Sequence, residues 1–234
     1  MPDAVTALAE EIVTLTSAAV AARGLCTLAL AGGSTPRPLY ARLAGEEFRR
    51  RLDWSRLHLF WADERWLSPE HRDSNYRLVR ESLLDFVPLP AVNCHPMPTD
   101  GTSPEADARR HWLEIEEFFL SKGLLDHGGP CFDLILLGMG EDGHVASLFP
   151  HDPVLDEAQA RVAAVAPPPG IHPAVSRLTM TLPLINRAGQ LRLLLAGRRK
   201  ARLLSTLTAA GRDLPVARLE PVLPPVVYLA EEEL

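Results

Sequence analysis

Along the chain, short apolar runs alternate with longer stretches in which apolar residues recur every three or four positions. That alternation predicts strands and helices in turn. Ala4 to Ala22 carries Leu8, Ile12, Leu15 and Ala19 at helical spacing and stops before Gly24, the residue type that ends a helix most easily. Leu25 to Ala31 reads as a buried strand running into Gly32, Gly33, Ser34, Thr35 and Pro36. Pro36 suits a first helical turn, with Thr35 or Ser34 as its cap. Leu57 to Ala62 is the next strand and ends in three charges, Asp63, Glu64 and Arg65. Asp73 or Ser74 is expected to cap a helix from Asn75 to about Phe86. Prolines 88, 90, 96 and 98 make Val87 to Thr102 an extended connection. Pro104 to Lys122 returns to helical spacing, with Trp112, Phe118 and Phe119 expected in the core.

In the second half, Leu134 to Leu137 is apolar throughout and short enough for a buried parallel strand. Gly138, Gly140 and Gly143 follow, interleaved with Glu141 and Asp142 and closed by His144. Arg161 to Val165 is a short strand, and a proline run occupies Pro167 to Pro169. Ser176 to Leu182 alternates polar and apolar residues as a half-buried strand does. Pro183 to Ala188 predicts a short helix, and Leu191 to Ala196 another compact strand. Gly197, Arg198, Arg199 and Lys200 then enter a helix, and Pro225 to Ala230 is a last strand before an acidic tail expected to be solvated. The succession predicts an α/β fold of class three-layer α/β/α sandwich, with a mainly parallel, Rossmann-like sheet covered on both faces. Residues 1–234 are expected to form a single domain.

Composition narrows the function classes. The apolar share of 47% and charged share of 23% are those of an ordinary globular chain. A formal net charge of -6 argues against nucleic acid or an acidic membrane as partner. Cys26, Cys94 and Cys131 are widely spaced and odd in number, which predicts a reducing compartment without a disulfide framework or zinc module. No apolar run is expected to span a membrane and no leader pattern opens the chain, so the expected location is cytoplasmic.

In a parallel sheet the loops after the strands share one edge. Here the loops at Gly32, Asp63, Gly138 and Gly197 bring backbone amides, hydroxyls, carboxylates, one histidine and several cations toward one place. Gly33, Ser34 and Thr35 at a helix start suit a phosphate, with Arg37 adding charge nearby. The loop lacks the P-loop lysine and the GxGxxG spacing, so a nucleotide is not indicated. The cationic run Arg198 to Lys200 opposes the helix dipole unless an anion binds there. The inventory suits acid–base attack on a small phosphorylated substrate.

Taken together, GGSTP, FWADERWL with the later DSNY, GMGEDGHVASLFP, SRLTMTLPLIN and GRRK stand in an order that resembles the 6-phosphogluconolactonase family. The likeness spans nearly the whole chain and is strongest in the element around His144. The wider family includes glucosamine-6-phosphate deaminase, but Ser147, Leu148, Phe149 and Arg65 favour the lactonase pattern. The resemblance implies hydrolysis of 6-phospho-D-glucono-1,5-lactone to 6-phosphogluconate, the second step of the oxidative pentose phosphate pathway. In that reading neutral His144 takes a proton from water, which attacks the lactone carbonyl. Asp142, or Asp63 across the site, orients the imidazole. Arg65 and loop amides stabilise the oxyanion, and the phosphate sits among Gly33, Ser34, Thr35, Arg177 and Lys200. No metal or other cofactor is expected, since a lactone is already an activated ester. The expected partner is the small sugar-phosphate lactone, with the protein a monomer or weak homodimer. Two alternatives are the aminosugar deaminase and a non-catalytic sugar-phosphate binder.

Overall fold

The structure, a computed structural model, describes residues 3–125, 128–210 and 214–230. In chain order it forms α1 (Ala4–Arg23), β1 (Cys26–Leu30), α2 (Arg37–Ala44), α3 (Glu46–Arg49), β2 (Leu57–Trp61), β3 (Asp63–Arg65), α4 (Asn75–Ser82) and β4 (Cys94–His95). There follow α5 (Pro104–Ser121), β5 (Leu134–Leu137), β6 (Val162–Val165), β7 (Arg177–Met180), α6 (Leu182–Ile185), β8 (Leu191–Ala196), α7 (Arg198–Ala210) and β9 (Val226–Ala230).

The main sheet is parallel throughout, in the order β4-β2-β1-β5-β8-β9. Alternation along β2 shows why both faces must be covered, since successive side chains point to opposite sides. Phe60 meets Phe118 and Phe119 of α5, whereas Trp61 packs on Tyr76 of α4, with ring centroids 5.7 Å apart. The helices α1, α2 and α4 touch one another as one layer. On the other face α5 also packs against a smaller antiparallel sheet, β3-β7-β6. The chain changes sheets at Ala62. Its N–H donates to Leu30 O of β1 at 2.9 Å, and its C=O accepts from Met180 N of β7 at 2.8 Å.

Most expected elements are present, with corrections at their ends. The helix from Asn75 stops at Ser82, because Leu83 leaves helical dihedrals and a 3-10 turn, Leu84–Phe86, replaces the last turn. Val87, held extended by the proline after it, fixes that exit. Ser74 caps α4, accepting from Arg77 N at 3.2 Å. Neither Ser34 nor Thr35 caps α2; Pro36 stands before the first helical residue and no side chain bonds the free amides. The stretch expected to be extended contains β4, whose two residues are too few to show a pattern. The acidic tail lies outside the described residues.

Helix α1 corrects the expectation about membrane-length runs. Its 20 residues, with a window of mean hydropathy 1.4, are by length and composition enough to cross a bilayer. Here Val5, Leu8, Ile12 and Ala19 are buried in the core instead. Glu11 on the same helix grips Arg192 of β8 through both carboxylate oxygens, at 2.7 and 2.8 Å, and accepts Tyr228 Oη at 2.5 Å. Those bonds, the Arg192 pair foremost, hold the Glu11 carboxyl below its usual range against the opposing effect of burial.

On the β4 edge, His58 Nδ1 and His95 Nε2 lie 3.1 Å apart, with the His95 ring stacked on Phe60 at 4.3 Å. Burial pushes both imidazoles down to about 4. Because the unfolded chain takes up these protons near pH ~6.5, the contribution of these two groups to folding stability is complete above that value and is lost as pH falls from about 6.5 toward 4. His95→Phe keeps the stack and removes one titrating group. Relative to wild type, its urea midpoint should therefore rise as pH falls through that window.

Candidate active site

The strands β1, β2 and β5 end together, and Ala31, Ala62 and Gly138, the residues just past them, line a cavity of about 240 Å³. The cavity lies where β2 and β5 flank β1 on opposite sides, the switch point at which open parallel sheets leave a crevice. Into it the fold brings Gly33, Ser34, Thr35, Asp63, Arg65, His144, Arg177 and Lys200. Asp142 is not on the wall and stands behind His144. All nine residues expected from sequence are thus placed at, or one contact from, the same cavity.

The strand β5 opens directly into the turn that carries the histidine, and no helix follows it. Gly143 N donates to Gly140 O at 3.1 Å and Gly140 N to His144 O at 2.9 Å, so the chain doubles back on itself. Gly143 adopts φ +83 to close the turn. This fold-back sets His144 Nδ1 2.6 Å from Asp142 Oδ1, which also accepts the His144 backbone N–H at 3.2 Å. Burial pushes the Asp142 carboxyl up, but the bond and charge of His144 outweigh it and hold the carboxyl below its usual value. An ionised carboxylate only accepts, so Nδ1 carries the proton of that hydrogen bond, which in the neutral imidazole leaves the lone pair on Nε2.

Of the two acids expected to orient the imidazole, Asp142 makes that contact and Asp63 does not. Asp63 is buried; its Oδ2 accepts Ser147 Oγ at 2.6 Å and its Oδ1 accepts Asn75 Nδ2 at 3.3 Å. The neighbouring Glu64 faces away from the cavity. It accepts the backbone N–H groups of Arg65, Asn75 and Tyr76, each at 2.7 Å, and so closes the start of α4. Burial pushes its carboxyl up to about 7 against those three bonds. A side chain at the end of a strand thus does a cap's work, which no local spacing signals.

Three cations, Arg65, Arg177 and Lys200, line the cavity. Arg65 and Arg177 are register partners across β3 and β7. Arg65 Nη1 donates to Asp73 O at 2.7 Å, and the Arg177 guanidinium lies 5.5 Å from the Phe149 ring centroid. Burial lowers the Arg177 pKa, and Arg65 adds to that while Asp63 opposes it. The Nε atoms of both arginines are buried without a hydrogen-bond partner among the described residues. Lys200, in the first turn of α7, completes the cationic side together with the Ser34–Thr35 loop. Among the described residues no three His, Cys, Asp or Glu side chains converge as metal ligands.

Sequence reasoning missed two supports. Asn75 stands in the sequence as a helix start and as part of the DSNY motif, neither of which signals that its amide packs against Gly32, where an added Cβ would come within 2.0 Å of it. Tyr40, fully buried on α2, donates to Ala31 O at 2.6 Å and fixes the strand end beneath the phosphate-type loop. A serine, asparagine or tyrosine at such spacings is common in cores, so neither left a distinguishing pattern.

With this geometry in view, the chain can be placed. It belongs to the family described as glucosamine-6-phosphate isomerases/6-phosphogluconolactonase, whose model matches residues 2–226. It is 44% identical over 202 residues to a 6-phosphogluconolactonase of Synechocystis sp., covering 86% of this chain and 79% of that one. To the 6-phosphogluconolactonase of Mycobacterium tuberculosis it is 36% identical over 197 residues, covering 84% and 78%. The solved 6-phosphogluconolactonase from Thermotoga maritima superposes with a TM-score of 0.83 at 28% identity, over 97% of this chain and 95% of the other. That from Trypanosoma brucei gives 0.82 at 29%, over 97% and 91%.

One test follows from the fold-back. A Cβ on Gly140 would meet His144 Nδ1 at 2.2 Å and Asp142 Oδ1 at 2.6 Å. Gly140→Ala should push the two apart and lower kcat about tenfold or more while the affinity for a phosphorylated ligand stays within about twofold, read by steady-state kinetics and calorimetry.

Proposed function

We propose that this chain hydrolyses 6-phospho-D-glucono-1,5-lactone to 6-phosphogluconate, the second step of the oxidative pentose phosphate pathway. One observation carries the reading: an imidazole 2.6 Å from a carboxylate lines a cavity that also holds Arg65, Arg177 and Lys200. The relatives and solved structures named above are lactonases, which favours hydrolysis over aminosugar deamination.

In this reading His144 Nε2 takes a proton from water as the oxygen attacks the lactone carbonyl. Asp142, already ionised, stabilises the imidazolium that forms. Arg65 faces the oxyanion of the tetrahedral intermediate. As the C1–O bond to the ring oxygen breaks, His144 returns the proton to that oxygen, which leaves as a hydroxyl. The resulting carboxylic acid ionises in water. The phosphate rests on Gly33, Ser34 and Thr35 with Arg177 and Lys200. Asp63, occupied by Ser147 and Asn75, shapes the wall and leaves the imidazole to Asp142. The reading treats residues 1–234 as one domain, a monomer or weak homodimer. It places the reaction in the cytoplasm.

The decisive experiment is stopped-flow decay of freshly generated lactone with and without the protein, since the lactone also hydrolyses unaided. His144→Ala should lower kcat on the order of a hundredfold or more with product affinity retained; a variant as active as wild type would remove the histidine from the mechanism. Lys200→Ala should raise the Kd for 6-phosphogluconate about tenfold or more by calorimetry, the scale of a charge-assisted hydrogen bond, and unchanged affinity would take Lys200 out of the phosphate site.

A further inference from the structure

Between the base and the small sheet lies a node that the mechanism above does not use. Ser147 is fully buried and is held twice. Its Oγ donates to Asp63 Oδ2 at 2.6 Å, and its backbone N–H donates to Thr179 Oγ1 at 3.2 Å. Asp63 and Thr179 are themselves register partners across β3 and β7. The two strands thus present one acceptor each to a single residue of the loop. Asn75 donates to the other oxygen of Asp63, so that carboxylate has no freedom to turn.

What the node holds is the segment that carries the base. Ala146, immediately before Ser147, stands at φ 49, a left-handed conformation that a residue with a Cβ adopts only when its surroundings impose it. Ala146 lines the cavity, and His144 precedes it by two residues. On the far side of the node Phe149 turns back so that its buried ring lies 4.9 Å from the imidazole. The imidazole is therefore fixed by Asp142 at its Nδ1 edge and by Phe149 on its flank, and the chain between His144 and Phe149 passes through Ser147.

We propose that Ser147 is a positioning residue: through its hydrogen bond to Asp63 it sets where the His144 imidazole stands relative to the substrate carbonyl. The inference rests on lactone hydrolysis as proposed above. Ser147 is fully buried and does not line the cavity; it acts through His144, because a base displaced by a fraction of an ångström loses its line to the reacting water. It also gives Asp63 a use other than direct contact with the histidine.

The test is a double-mutant cycle read by stopped-flow lactone decay and by calorimetry with 6-phosphogluconate. Ser147→Ala should lower kcat about tenfold or more, with KM and product affinity within about twofold of wild type. In the His144→Ala background the same change should leave the residual rate unaltered, since no base remains to be misplaced. Ser147→Cys fills nearly the same space but donates weakly, and should give an intermediate kcat at a thermal midpoint near that of wild type. An equal loss from Ser147→Ala in both backgrounds, or a parallel loss of kcat and product affinity, would overturn the assignment. So would a Ser147→Cys chain that does not fold, because the hydroxyl would then serve the fold alone. Absence of turnover in the wild type sinks the hydrolase reading instead, and the two failures are separable.

Discussion

The site depends on a contact between side chains two residues apart in sequence. In most backbone conformations Asp142 and His144 would point in different directions. They meet here because the chain folds back at Gly140 and Gly143 just as it leaves a buried strand, with Gly140 giving the imidazole space that any side chain would occupy. Orientation, tautomer and the charge state of the acid all follow from that fold-back. The strand beneath it, with all four residues buried, supplies the rigidity a short turn lacks.

Charge in the cavity runs against charge on the whole molecule. The chain is net negative at -6, yet Arg65, Arg177 and Lys200 all line the cavity. Two of these are arginines on adjacent strands that would repel each other in an empty site, and their Nε donors find no acceptor among the described residues. Placing donors before the anion arrives means that little reorganisation is needed on binding. The cost appears in the fold, as a buried cation, Arg177, with Asp63 as the nearby acid.

Much of the fold was legible because burial and periodicity coincide. The strand runs β5 and β8 match the expectation to the residue, since β5 is apolar throughout, β8 is apolar but for Arg192, and both are bounded by glycine or polar residues. The residues gathered at the cavity were legible for a topological reason: parallel strands put their trailing loops on one edge. What the residues could not reveal was partnership at a distance. Whether Asp63 or Asp142 meets the imidazole depends on how the small sheet tilts its carboxylates. Glu64 looked like a member of a charged cluster and proves to be a helix cap, because β3 turns it inward. The two-residue β4 was missed because pairing, not pattern, makes it a strand.

The two sheets meet through very little backbone. The chain passes from β2 to β3 at one residue, Ala62, which bonds both sheets at once. One wall of the crevice is thus the end of a rigid parallel bed, and the other is a separate three-stranded leaf carrying Asp63, Arg65 and Arg177. Such a division lets the leaf be recut for a different sugar phosphate, by exchange of a few side chains, while the parallel bed stays as it is.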